Sequence, residues 1–334
     1  MAAPAAPPAD FADSASAAAS SSSSPNTEPT LPATVFDPDT LVKRGWCTVA
    51  TDKSRAANPH KLYYGQPPAR TCSQFGHREL LTLRSLLQNC MDKMNRRADA
   101  WYEQVDYFAR LPGYAVLVFD NRGVGWSDSP GWSYTTREMA LDVVELLDFL
   151  GWTQDRSLNV VGALLIPERI HALLLTSTRS GSKTDLPSYA ALNMFARLTS
   201  GTVRSPEKQI RLVVNTLYPQ AYLDEIVQAE GEWKGKTQRD RIEAGFLHRY
   251  HIGRRQSFAG RVAEEARQIS STIPRIAIIH GTEDKLLHVD RGRDLHAELP
   301  CSTLKIVENA GHALPSQIRD EYHDWIRENV EATT

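Results

Sequence analysis

Apolar positions along the chain follow two periods. Short, nearly continuous apolar runs bounded by Gly, Pro or charge at Tyr114 to Asp120, Leu158 to Val161, Ile170 to Thr176, Arg275 to His280 and Thr303 to Val307 predict buried strands. Helical spacing predicts helices at Trp101 to Arg110, at Met139 to Leu150, at Arg291 to Leu299 and in a last segment running through Asn329. Thr136 is the expected cap of the second helix and Gly151 its stop. Trp46 to Thr51 and Lys61 to Tyr64 read as an opening antiparallel pair. Between them and the first helix, Leu80, Leu81, Leu83, Leu86, Leu87, Cys90, Met91 and Met94 fit an amphipathic helix, and no third strand is visible.

Strand, loop and helix in repetition define the α/β class. Residues 1–33, rich in Ala, Ser and Pro, are expected to be a disordered tail, because they carry too little apolar surface to offset the entropy of ordering. Residues 34–181 form the first part of the core, with 66–97 atypical. A helix-rich excursion over 182–271 is expected to be a cap, and 272–334 complete the core.

One spacing stands apart. If the strands at Leu158 and Ile170 are parallel neighbours, the chain must cross back over a face of the sheet, which ordinarily takes about a dozen residues or more, usually with a helix. Gly162 to Arg169 provide eight. Either the two strands are not parallel neighbours or a crossover helix is missing.

Composition narrows the partners. With 334 residues, 41% hydrophobic and 23% charged, the chain has ample core, and a net charge of −2 gives no electrostatic reason to expect nucleic acid or an anionic membrane. The four cysteines show neither metal-ligand spacing nor disulfide density, which points to a reducing compartment. No apolar run is long enough to span a membrane, and the first residues lack a signal-peptide pattern, so a cytoplasmic location is expected. No cofactor is expected.

Three motifs carry chemistry. Asp120-x-Arg122-Gly123-x-Gly125-x-Ser127 follows a strand, as do Gly281-x-x-Asp284 and Asn309-Ala310-Gly311-His312. The first is not a dinucleotide fingerprint, since Asp128 stands where a third small residue is needed. Together they resemble the α/β-hydrolase superfamily, in the order acid then histidine. That resemblance implies a mostly parallel central sheet with flanking helices and a helical cap insertion, here without the crossover helix after the fifth strand. It implies that His312 is the general base and Asp284 the acid that orients it. It implies a small, apolar, ester-like ligand.

The same family places a nucleophilic serine on a G-x-S-x-G turn after the fifth strand. That turn should begin at Gly162, yet Ala163-Leu164-Leu165-Ile166 follows, and no G-x-S-x-G occurs anywhere in the chain. The family's His-Gly oxyanion loop is also missing, with Gly65-Gln66-Pro67-Pro68 standing in its place. The expectation is a serine-hydrolase relative with acid and base but no nucleophile. The alternatives are a non-catalytic binding relative, or an incorrectly assembled or unstable form of an active hydrolase.

Competing assignments are weighed on spacing. Asp290 competes with Asp284 but is better placed to cap the helix near Arg291. His280, Asp284 and His288 share a spacing of four, which gathers ligands on a helix but not across a strand and loop. Asp120 is expected to bond its own turn with Arg122 as partner, and Ser177, Ser180 and Ser182 lack the glycine-flanked geometry of a nucleophile.

Overall fold

A computed structural model describes residues 43–55, 57–66, 78–82, 101–123, 125–131, 135–161, 166–179, 188–252 and 273–332. The predicted tail, and most of the segment read as an amphipathic helix, lie outside them. In chain order the elements are β1 (Lys43–Val49), β2 (His60–Gln66), β3 (Arg78–Thr82), α1 (Tyr102–Arg110), β4 (Tyr114–Phe119), α2 (Thr136–Leu150), β5 (Leu158–Val161) and β6 (Ile170–Thr176). Then come α3 (Tyr189–Thr199), α4 (Pro206–Leu217), α5 (Gln220–Asp224), α6 (Gln238–Ile252), β7 (Arg275–Gly281), α7 (Asp290–Glu298), β8 (Ser302–Val307), α8 (Leu314–Gln317) and α9 (Arg319–Glu331).

The strands form one sheet in the order β1-β2-β4-β3-β5-β6-β7-β8. β1 and β2 are antiparallel, β2 pairs antiparallel with β4, and every pair from β4 to β8 is parallel. A parallel sheet needs cover on both faces, which is why its strands read as continuous apolar runs. On one face Leu117, Leu158, Val160, Leu173 and Ile278 pack under α2 and α7 through Val143, Leu146, Leu147 and Leu295. On the other, Val116, Val118, Leu174 and Ile279 pack under α1 and α9 through Val105, Phe108, Tyr322 and Ile326. The helices between β6 and β7 bury a separate apolar cluster, including Met194, Val214 and Phe246. No helix among the described residues is long and apolar enough to cross a membrane.

Three expectations are corrected. Arg78–Thr82, read from sequence as part of a helical stripe, is a strand, paired on both sides: Leu80 with Val116 of β4 and with Asn159 of β5. Arg, Glu and Leu favour helix on propensity, but a slot between two strongly apolar parallel strands satisfies this backbone on both edges, and pairing context outweighs propensity. A third strand at Arg78–Thr82 also relocates the oxyanion-loop position. It falls after Thr82, at residues outside the described set, and not at Gly65-Gln66, which close β2. The cap of α2 is Thr135 and not Thr136: the Thr135 side chain accepts from Glu138 N, while Gly151 ends the helix at φ 79° as expected.

The unusual spacing resolves in favour of parallel neighbours. Leu158 pairs with Ile170, Asn159 with Ala172 and Val161 with Leu174. A four-residue strand is about 13 Å long and eight extended residues reach about 27 Å, so the chain can turn back without a helix. Ile166 is buried against the α2-side core, and Pro167, Glu168 and Arg169 form a turn. Arg156 holds that turn, its guanidinium donating to Pro167 O at 2.8 Å and Ile170 O at 2.9 Å. Arg169 reaches Asp148 on α2 at 2.5 Å.

Candidate active site

The loop after β7 and the loop after β8 lie side by side at the carboxyl end of the sheet, where open α/β folds place their chemistry. Thr282 N donates to Val307 O, Glu283 N to Ala310 O, and Asn309 N to Thr282 Oγ1, at 2.8–3.0 Å. Two glycines permit this approach. A Cβ on Gly281 would fall 2.2 Å from Ala310 O, and one on Gly311 would fall 2.4 Å from Leu217 O. Leu217 ends α4, and its carbonyl accepts from His312 N at 2.8 Å, so the helical insertion is hydrogen-bonded to the histidine's own backbone. Gln317 completes the support, accepting from Gly311 N and donating to Asn309 O.

Into this frame the structure brings His312 and Asp284, with Nδ1 and Oδ2 2.8 Å apart. Leu286 N and Leu287 N both donate to Asp284 Oδ1 at 2.8 Å, and His280 Nε2 lies 3.3 Å from Oδ2. Burial alone would raise the Asp284 carboxyl. The adjoining His312 and the hydrogen bonds from His280 and His312 outweigh it and hold Asp284 well below the usual carboxylate range. His312 Nε2 has no hydrogen-bond partner among the described residues. An imidazole held through Nδ1 by a carboxylate, with Nε2 open, can accept a proton from a group within hydrogen-bond reach of that nitrogen.

The other candidates separate from this pair. Asp290 is exposed, accepts from Arg293 at 2.6 Å and serves the first turn of α7, whose N-cap is Val289. His288 is exposed and pairs with Asp290 at 2.9 Å, away from His280 and Asp284. Among the described residues no group of His, Cys, Asp and Glu is disposed to hold a metal ion. Ser177, directly after β6, has φ 44° and is buried; its N–H donates to Ile279 O. Ser180 and Ser182 fall outside the described residues.

The D-x-R-G-x-G-x-S loop is structural. Ser127 Oγ donates to Asp120 O and accepts from Tyr63 N, and Trp126 N donates to Asp120 Oδ2. Gly123 and Gly125 take φ of 75° and 55° to make the turn. Arg122 forms a bidentate pair with Asp142 of α2, at 2.6 and 2.7 Å. Arg55 and His60, on and beside the β1–β2 connection, reach the same carboxylate at 2.8 and 3.0 Å. Sequence reasoning missed three contributors to the site: His280, Gln317 and the Leu217 carbonyl. The first was visible only as a neighbour four positions before Asp284, and a main-chain acceptor leaves no residue-type signal.

The sheet order, the large helical insertion after β6 and a histidine–aspartate pair on the last two strand loops define an α/β protein of the hydrolase class. The model of the α/β hydrolase fold family matches residues 95–316, and the chain belongs to that family. Its sequence is 26% identical over 227 residues to a protein of Pseudomonas syringae pv. syringae (strain B728a) proposed by its name to be the carbamate hydrolase RutD. The match covers 64% of this chain and 81% of that protein. Over 220 residues it is 24% identical to a Bacillus subtilis (strain 168) protein proposed as a 2-succinyl-6-hydroxy-2,4-cyclohexadiene-1-carboxylate synthase, covering 61% and 76%. Among solved structures, the esterase RhEst1 from Rhodococcus sp. ECU1013 superposes with a TM-score of 0.60 at 14% identity, over 88% of this chain and all of that one. The serine hydrolase CCSP0084 from Cycloclasticus zankles gives 0.60 at 14%, over 86% and 97%. These structural likenesses establish the fold.

Proposed function

We propose that this chain is a relative of the serine hydrolases that retains the base and acid of the family's site, His312 and Asp284, and does not perform acyl transfer through serine. Its ligand class on this reading is a small apolar ester or similar acyl compound, bound beneath the helices inserted between β6 and β7. The observation that carries the reading is the passage from β5 to β6. The two strands are adjacent and parallel, and the eight residues that join them, Gly162-Ala163-Leu164-Leu165-Ile166-Pro167-Glu168-Arg169, include no Ser, Thr or Cys. The family's nucleophile belongs on that connection, directly after the fifth strand.

Losing one member of such a triad costs on the order of 10⁴ to 10⁶ in rate, and absent oxyanion donors cost ~10² to 10³. The base–acid pair then has no hydroxyl to activate. Turnover of p-nitrophenyl acyl esters by the full chain, compared with its His312→Ala variant, tests this. The expected result is indistinguishable, near-background hydrolysis by both, while an ester-like ligand still raises the melting temperature. Hydrolysis that falls a hundredfold or more on His312→Ala would sink the proposal.

A further inference from the structure

Asp284 is tied at Oδ1 by two amide N–H groups from Leu286 and Leu287. Both ties fall on one oxygen, which leaves the carboxylate able to swing Oδ2 about that anchor. His312 meets Oδ2, but it belongs to a different loop. A second group restrains Oδ2 from within the acid's own segment.

That group is His280, the penultimate residue of β7 and fully buried. Its Nε2 lies 2.9 Å from Leu287 O and 3.3 Å from Asp284 Oδ2. A carbonyl oxygen only accepts, so Nε2 carries hydrogen, and the same N–H is shared with the carboxylate. Leu287 thereby closes a ring of contacts, its N–H on Asp284 Oδ1 and its carbonyl on His280. The opposite edge of the imidazole faces α7 at Gly292, where a Cβ would fall 2.8 Å from Nδ1. Nδ1 has no hydrogen-bond partner among the described residues. The ring is therefore seated by close packing on one edge and by a shared N–H on the other.

We propose that His280 is a positioning residue for the His312–Asp284 pair, holding the Asp284 carboxylate so that Oδ2 faces His312 Nδ1. This rests on the geometry of the pair and is independent of whether the chain cleaves esters. A purely space-filling role for His280 would not depend on its N–H.

The test reads His312 itself, by nuclear magnetic resonance of the full chain with ¹⁵N-labelled histidine at neutral pH. His280→Leu removes the N–H, and His280→Gln keeps an N–H at similar reach. Expected in His280→Leu is a His312 Nδ1–H resonance moved upfield and exchanging with water about tenfold faster, the change that loss of one charge-assisted hydrogen bond brings. His280→Gln should retain most of the wild-type signal. A wild-type signal in His280→Leu, or equal losses in the two variants, would overturn the assignment. If His280→Leu does not fold, Gly292→Ala decides by displacing the ring from the α7 side: faster Nδ1–H exchange supports the role, and unchanged exchange overturns it.

Discussion

Two connections of the same sheet are held in different ways. At β7 and β8 the acid and histidine loops approach so closely that Gly281 and Gly311 leave no room for a Cβ, and main-chain hydrogen bonds cross from loop to loop and on to the inserted helices. Between β5 and β6 eight residues join the strands, and the described part of that return, at the amino end of the sheet, is held by main-chain bonds from Arg156 N to Glu168 O and from Leu158 N to Arg169 O together with the Arg156 side chain on two carbonyls. The difference teaches that parallel strand pairing between β5 and β6 needs only a backbone long enough to return, whereas the close approach of the acid and histidine loops depends on the glycines at 281 and 311.

The comparison predicts unequal responses to substitution. The largest is at the tight pair of loops: Gly281→Ala places a Cβ against the Ala310 carbonyl, and with backbone on both sides nothing yields cheaply. A loss of roughly 3 kcal/mol is expected in urea unfolding. Arg156→Ala, at the short return, removes two side-chain bonds to carbonyls and should cost about 1.5 kcal/mol by the same measurement. A larger effect at Arg156 than at Gly281 would reverse the contrast.

Acid sensitivity sharpens it further on the histidine side. His323 of α9 packs on Tyr107 and lies beside Gln104, whose amide also donates to Pro315 O in the helix that follows the His312 loop. Burial first, and the nearby Arg319 second, lower its pKa from 6.5 to about 4. The unfolded chain therefore takes up the proton first. The stability linked to this ring is complete above pH 6.5 and is lost as pH falls toward and through about 4. Melts across that range should show a decline that His323→Phe reduces. The smallest effect is expected at Arg169→Ala, whose partner Asp148 is half exposed; less than about 1 kcal/mol should be lost.

Much of this was legible in the chain. The bounds of β5 and β6 follow from apolar runs set between Gly, Pro and charge, and the acid and histidine loops from glycine-containing turns after strands. β3 was not, because Arg78-Glu79-Leu80-Leu81-Thr82 has helical propensity and becomes a strand only through neighbours on both sides. The partner of Arg122 was hidden for a similar reason. Asp142 lies on the helix after the loop, and the buried cluster it forms with Arg55 and His60 joins segments that sequence distance does not relate. Likewise the hold of the inserted helices on His312 runs through a Leu217 carbonyl, to which residue type is blind.

The central claim is that no serine of this chain serves as an acyl-accepting nucleophile. Intact-mass spectrometry after incubation of the full chain with excess fluorophosphonate addresses it directly. An unchanged mass, under conditions where an active serine hydrolase is fully labelled, is the predicted result. A stoichiometric adduct mapped to any serine, and abolished by His312→Ala, would contradict it.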